Sequence, residues 1–201
     1  MEKLYQALEL SQAALLKKNP QEIAEKAGAL WHKDTQLLSL NYLNRPCYLQ
    51  LPNFSFVQSD WLSLKEKIVI LHYLIDERKA PEKSELLSFK EMETGNIYFP
   101  SFHGRVIQPL INAFASFPQE LLEKVFSLGG EKSTLGEWAV QLPVFPKVCA
   151  FFLLYPADDE FPADLKILFS GNIQKFLDTE DVVVVSEEIA HRLINDQLPI
   201  G

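Results

Sequence analysis

Apolar positions in the first part of the chain recur at helical spacing. Leu4, Ala7, Leu8, Ser11 and Leu15 share one side of Lys3–Lys17, with strong helix formers between them, so a helix is expected there. Asn19-Pro20-Gln21-Glu22 then reads as a second start, with Asn19 as cap and Pro20 at the first helical position. Ile23, Ala24 and Ala27 give that helix its apolar side, and Gly28 ends it. The period changes next. Thr35–Leu40 and Pro46–Leu51 flank NYLNR and fit two short antiparallel strands, with a further short strand at Phe54–Val57.

Ser63-Leu64-Lys65-Glu66 is a capping box that opens SLKEKIVILHYLIDE, a helix with Leu64, Ile68, Leu71 and Leu74 on one stripe. Leu86–Phe89 fits a strand. In FPSFHGRVIQPLINAFASF, Leu110, Ile111 and Phe114 mark a helix that Pro109 either kinks or begins. Gln119–Ser127 fits a short helix that Gly129-Gly130 ends. Glu137–Leu142, Val148–Tyr155 and Leu165–Phe169 fit strands, and the short apolar VCAFFLLY is the most core-like of them. The four valines Val182–Val185 favour a strand locally. Asp178 as cap, acids in the first turn, and a stripe of Val182, Val185, Ile189 and Leu193 favour a helix over Thr179–Asn195 instead. No repeat or linker divides the chain. The expectation is one α+β domain over residues 1–201, a mixed or antiparallel sheet flanked by helices.

Charge and composition narrow the function classes. Twenty-seven acids face 19 Lys plus Arg, a net charge of -8, without the basic footprint that nucleic-acid binding needs. The two cysteines, Cys47 and Cys149, are about a hundred residues apart and cannot supply a four-thiolate metal site or a disulfide framework. Val148–Tyr155 is far too short to span a membrane, and the N-terminus lacks a secretion signal's uninterrupted apolar centre, so a cytoplasmic protein is expected.

Several words occur in a distinctive order: LSFKE at Leu87–Glu91, the stretch around Phe102–Leu110, LGG at Leu128–Gly130, and the long FPKVCAFFLLYPADDEFPADLKILFSGNIQKFLDTEDVVVVSEEIAHRLI. Together they resemble the family called domain of unknown function 3786, over about residues 5–195. That resemblance implies an anaerobic bacterial or archaeal setting and a link to metallocofactor handling. Some relatives carry a cysteine-rich iron–sulfur-type segment, which this sequence lacks. The resemblance supplies no reaction and no catalytic residues.

The residues themselves offer two chemical candidates. Asp158, Asp159 and Glu160, followed by Asp164, would hold a hard cation if their oxygens converged, and would otherwise be a solvated turn. His103-Gly104-Arg105 pairs a proton relay with an anion fork, so His103 and Arg105 are candidate cofactor-binding residues; alternatively Arg105 pairs with an acid. His72, inside an apolar stripe, reads as a satisfied semi-buried histidine. Phe145 and Phe161, beside prolines on late loops, are candidates for an exposed partner surface. The leading expectation is an accessory or protein-interaction domain with a protein partner in an anaerobic metabolic system. The alternative is a small-molecule or cofactor-binding enzyme of unknown reaction and cofactor, with an anionic or corrinoid-like ligand as its candidate. Trp31, Trp61, Trp138, Phe145 or Phe161 lining a concave pocket with His103 or Arg105 would favour a small molecule.

Overall fold

A computed structural model describes residues 2–75 and 86–195. It contains two antiparallel sheets, with helices packed between and around them. The chain begins with α1 (Glu2–Leu15) and α2 (Pro20–Ala27). The Asn19 side chain accepts the Gln21 N–H at 2.9 Å, and Gly28 closes α2 with φ +67°, the left-handed conformation that glycine adopts without strain.

The first sheet is a meander of β1 (Leu30–His32), β2 (Leu37–Tyr42), β3 (Arg45–Gln50) and β4 (Ser55–Val57). β1 was not anticipated: it has three residues, largely exposed, too short to show a period. Leu43 and Asn44 form the two-residue turn between β2 and β3, both with positive φ, which matches the twist of the hairpin. From that turn the Leu43 N–H donates to the Val144 carbonyl at 3.0 Å and ties the first sheet to the second.

Helix α3 (Leu64–Ile75) opens on the expected capping box: the Ser63 N–H donates to Glu66 Oε2 at 2.8 Å, and the Glu66 N–H donates to Ser63 Oγ at 3.2 Å. The expected final residues of this helix, Asp76 and Glu77, lie outside the described residues. The second sheet runs in the order β5 (Leu87–Ser88), β9 (Asp164–Phe169), β8 (Val148–Tyr155), β7 (Ala139–Phe145), β6 (Glu131–Lys132). A 3-10 turn, Phe89–Glu91, takes over where β5 ends. Helix α4 (Gly95–Phe102), a π-helical turn at His103–Ile107 and α5 (Gln108–Phe114) follow. The expected helix around Pro109 therefore extends back to Gly95. Pro109 has no N–H to give the ladder, and the preceding π turn, in which the Gln108 N–H reaches the His103 carbonyl, widens the helix where the ring would clash. α6 (Pro118–Ser127) and α7 (Thr179–Asn195) complete the order. The predicted stripe of Val182, Val185, Ile189 and Leu193 is buried.

Buried residues of both sheets and of the helices form one continuous core. Phe145 lies inside it, stacked on Tyr73 with centroids 4.2 Å apart. Its expected place on an exposed partner surface is therefore corrected: β7 runs on through Pro143 by a bulge and turns Phe145 inward.

Candidate functional site

The sheet and the helical segment from α4 to α5 meet along β9, and a groove of about 400 Å³ lies between them. Its lining includes five successive residues, Asp164–Leu168. Alternate strand residues point to opposite faces, so the groove runs along the strand's edge and not over one face. Phe89 and Phe102, stacked with centroids 4.0 Å apart, contribute apolar wall. Lys90 places its ammonium 4.0 Å from the Phe99 ring, and His103 packs against the same ring at 5.9 Å. Lys166 lies over Tyr155 at 5.2 Å. The groove thus combines apolar walls with three basic groups. Among the described residues neither lysine pairs with a carboxylate.

The sequence candidates separate. His103 lines the groove. Arg105 does not: its Nη1 pairs with Glu187 of α7 at 2.8 Å, and its Nη2 donates to Ser101 Oγ at 2.7 Å, a clasp between the π turn and α7. Asp158 Oδ1 accepts the N–H groups of Glu160 at 2.9 Å and Phe161 at 2.7 Å, and these bonds hold its carboxyl below the usual range. Asp159 and Glu160 stand exposed beside it. Among the described residues no group of three or more His, Cys, Asp or Glu side chains is arranged to hold a metal ion. Phe161 is exposed at 66% in the loop that leads into β9. Lys90, Phe99, Phe102 and Lys166 were not singled out in the sequence. The visible signal was the alternation of DLKILF, which points Lys166 outward.

The cysteines are free thiols, with Cys47 buried and Cys149 half-buried. Burial pushes Cys47 up to about 12 and raises Cys149 as well, so both stay protonated at neutral pH. His72 Nδ1 pairs with the carboxylate oxygen Oδ1 of Asp181 at 2.8 Å and joins α3 to α7. A second cleft, of about 570 Å³, lies where the sheets meet, between Ser39, Asn41, Tyr48 and Pro143. Among the described residues no Lys, Arg, Asp, Glu or His lines it.

The other concentration of polar groups surrounds Trp61. Arg45 lies 4.6 Å and Arg192 5.6 Å from its ring, and Tyr42 stacks on it at 6.3 Å. Arg192 pairs with the buried Glu66 at 2.5 Å. Tyr42 Oη, Arg45 Nη1 and Arg192 Nε have no hydrogen-bond partner among the described residues and are sealed from solvent. The sealing makes this cluster a structural network, not an open binding site. At its rim, burial first and the neighbouring Glu66 second push Glu188 upward from 4.5. A carboxyl with a raised folded pKa stabilises the fold when protonated, and loses that contribution as pH rises through the folded value. Glu188→Gln keeps an acceptor for Ser63 and removes the charge, so it is expected to raise Tm at pH 7. Thermal melts should show the gain disappearing as pH falls below the ordinary value of 4.5.

No helix among the described residues is long and apolar enough to cross a membrane. The profile of a family described as Domain of unknown function (DUF3786) matches residues 19–192. No curated protein and no solved structure matches the chain.

Proposed function

We propose, for a chain that belongs to the family of domain of unknown function 3786, an accessory role exercised by docking a partner in the groove beside β9, without a chemical step. The observation that carries this reading is the groove's composition. Half-buried Phe99 supplies apolar surface over the buried stack of Phe89 and Phe102, Lys90 and Lys166 supply charge, and His103 packs against the Phe99 ring with no carboxylate partner among the described residues. Apolar walls with a polar rim are what a small docking surface requires. The exposed Phe161 and Tyr155 extend that surface from the loop end of β9.

Charge reversal at the rim tests it. A random peptide library displayed on phage is panned on the purified protein, and the enriched peptides are measured by fluorescence anisotropy. Lys90→Glu/Lys166→Glu is expected to weaken them about tenfold or more, because each rim charge is worth up to ~1 kcal/mol. Lys17→Glu/Lys132→Glu, the same charge change away from the groove, is expected to leave them unchanged. Enriched peptides that respond equally to both double variants would overturn the assignment of the site.

The second reading is a small anionic ligand in the same groove, favoured by its volume, which lies in the range of about 300–1,000 Å³ common to small-molecule sites. Native mass spectrometry of protein purified from its own source separates the two: a stoichiometric nonprotein mass supports the ligand, and a retained protein supports docking.

A further inference from the structure

The cleft of about 570 Å³ opens where the solvent faces of the two sheets meet, and it shares no lining residue with the groove beside β9. Its walls follow from the strand registers, because directly opposite residues of antiparallel strands project to the same face. In the first sheet Leu30, Ser39 and Tyr48 stand in one row across β1, β2 and β3, and Asn41 and Pro46 stand in the next. In the second sheet Pro143 of β7 stands opposite Cys149 of β8. The residues that alternate with them, such as Leu38, Leu40, Leu49, Leu142 and Ala150, are buried in the core. These lining side chains therefore face away from the core, and each is exposed or half-buried. The shape is built into the fold. At one end Gly28 lies so close to Pro146 that a Cβ on the glycine would stand 3.0 Å from the proline Cβ. Alongside, the bond from the Leu43 N–H to the Val144 carbonyl joins the sheets. Ser170 Oγ accepts the Cys149 N–H at 2.6 Å and holds the start of β8.

Charge is what this surface lacks. The outward face of an antiparallel sheet ordinarily carries the polar and charged positions. Of this chain 23% is charged, yet no lining residue is. The next row of the first sheet, His32, Leu37, Gln50 and Ser55, adds no Lys, Arg, Asp or Glu. Lys147 follows Pro146 but places its ammonium against the Glu25 carbonyl of α2 at 3.4 Å. Burial raises the Cys149 thiol, which stays neutral as well. Neutral hydrogen-bonding groups remain. Among the described residues the Asn41 amide and the Tyr48 hydroxyl have no hydrogen-bond partner. Ser39 Oγ meets His32 Nε2 at 3.0 Å and keeps capacity for a further bond.

We propose that this cleft binds an uncharged small molecule that has an apolar ring face and a hydrogen-bonding edge. Tyr48, Leu30 and the prolines offer the ring face its contact. The Asn41 amide both donates and accepts, as do the hydroxyls of Ser39 and Tyr48, and together they suit a neutral edge. A charged ligand would give up hydration and meet no opposite charge. The volume lies in the range common to small-molecule sites. Neutral sugars and nucleosides share this chemistry. The site stands apart from the docking groove and does not depend on it.

Cys149 provides the readout, because it lines the cleft while the other cysteine, Cys47, is 2% exposed. The purified protein is alkylated with iodoacetamide in mildly alkaline buffer, and mass spectrometry follows the rate at Cys149. The probes are methyl glycosides of the common hexoses and pentoses, the ribonucleosides, and a phosphorylated counterpart of each. At least one uncharged probe should protect Cys149 saturably, and its phosphorylated counterpart should bind about tenfold more weakly. Protection by glycosides identifies the ligand as a sugar, and protection by nucleosides as a nucleoside; either supports the site. Asn41→Asp keeps the size and adds a charge, and should weaken the protecting probe about tenfold. Tyr48→Ala should weaken it by about as much. Gln6→Glu, the same amide-to-carboxylate change on α1, should leave it unchanged. Absence of protection by every probe would overturn the site. Equal binding of the phosphorylated counterparts would overturn the selection for an uncharged ligand. Affinity unchanged in both Asn41→Asp and Tyr48→Ala would show that the probe acts elsewhere, and would overturn the assignment.

Discussion

Arg192→Met is expected to destabilise the protein by about 3–5 kcal/mol, a large fraction of what a domain has to lose. Glu66 is 1% exposed, and Arg192 is its ion-pair partner. The other oxygen of Glu66 takes the Ser63 N–H at the start of α3, so the carboxylate is fixed in place and cannot turn toward water. Removing the guanidinium leaves a buried charge without compensation, and that penalty exceeds the value of the pair itself. It also removes a cation from beside the Trp61 ring. Glu66→Gln in the Arg192→Met background deletes the stranded charge and keeps an oxygen for the capping box. The double variant is therefore expected to recover at least about half of the loss, a non-additive result characteristic of contacting residues. Urea unfolding of the two single variants and the double variant measures it. A single-variant loss below about 1 kcal/mol would show that the pair is solvated and weak.

This pair also shows where sequence reading stopped. Ser63 and Glu66 are three residues apart, so the capping box was legible as local chemistry. Arg192 lies 126 residues from Glu66, and no spacing rule connects them. The same distinction holds elsewhere. Asp178 and the acids after it outweighed the local strand preference of four valines, because cap and stripe are properties of consecutive residues. Residues Gly95–Phe102 were missed as a helix because glycine and Pro100 break the propensity, and because Ile97 and Tyr98 are exposed and spoil the apolar period. His103 was visible as a proton-relay candidate, but its companions in the groove were not. Lys90 comes from the 3-10 turn, Phe99 and Phe102 from α4, and Lys166 from β9. How far β5 reaches along β9 is a pairing fact with no sequence signature. Arg105 had two readings, a joint site with His103 or pairing with an acid; the second is the one seen, because the helical turn sends the two side chains to different neighbours, the groove and Glu187.

Gly95→Ala is expected to damage stability and binding together, because this glycine sets how closely the 3-10 turn and α4 pack beside the groove. It is buried at the first position of α4, with its N–H bonded to the Met92 carbonyl at 3.0 Å. A Cβ there would stand 1.9 Å from the Phe89 carbonyl oxygen and 3.0 Å from its carbon. These are backbone atoms of the 3-10 turn, where the same carbonyl accepts the Met92 N–H, so no side-chain rotation relieves the clash. The turn and α4 have to separate. Phe89 and Phe102 stack across that contact, and Lys90 meets Phe99 across it, so separation opens the aromatic wall and parts the lysine from its ring. The expected cost is about 3 kcal/mol, at the upper end for overpacking. For a chain of this length that lowers Tm by roughly 6–12 °C. Gly104→Ala is the matched control, since a Cβ there meets nothing within 4 Å. Calorimetry should show Gly104→Ala melting at or above the wild type and Gly95→Ala well below it. Below its own Tm, Gly95→Ala should still bind the groove peptides more weakly than Gly104→Ala does. Unchanged affinity in a folded Gly95→Ala would mean that the packing of the turn on α4 does not govern docking, and the site would have to lie elsewhere.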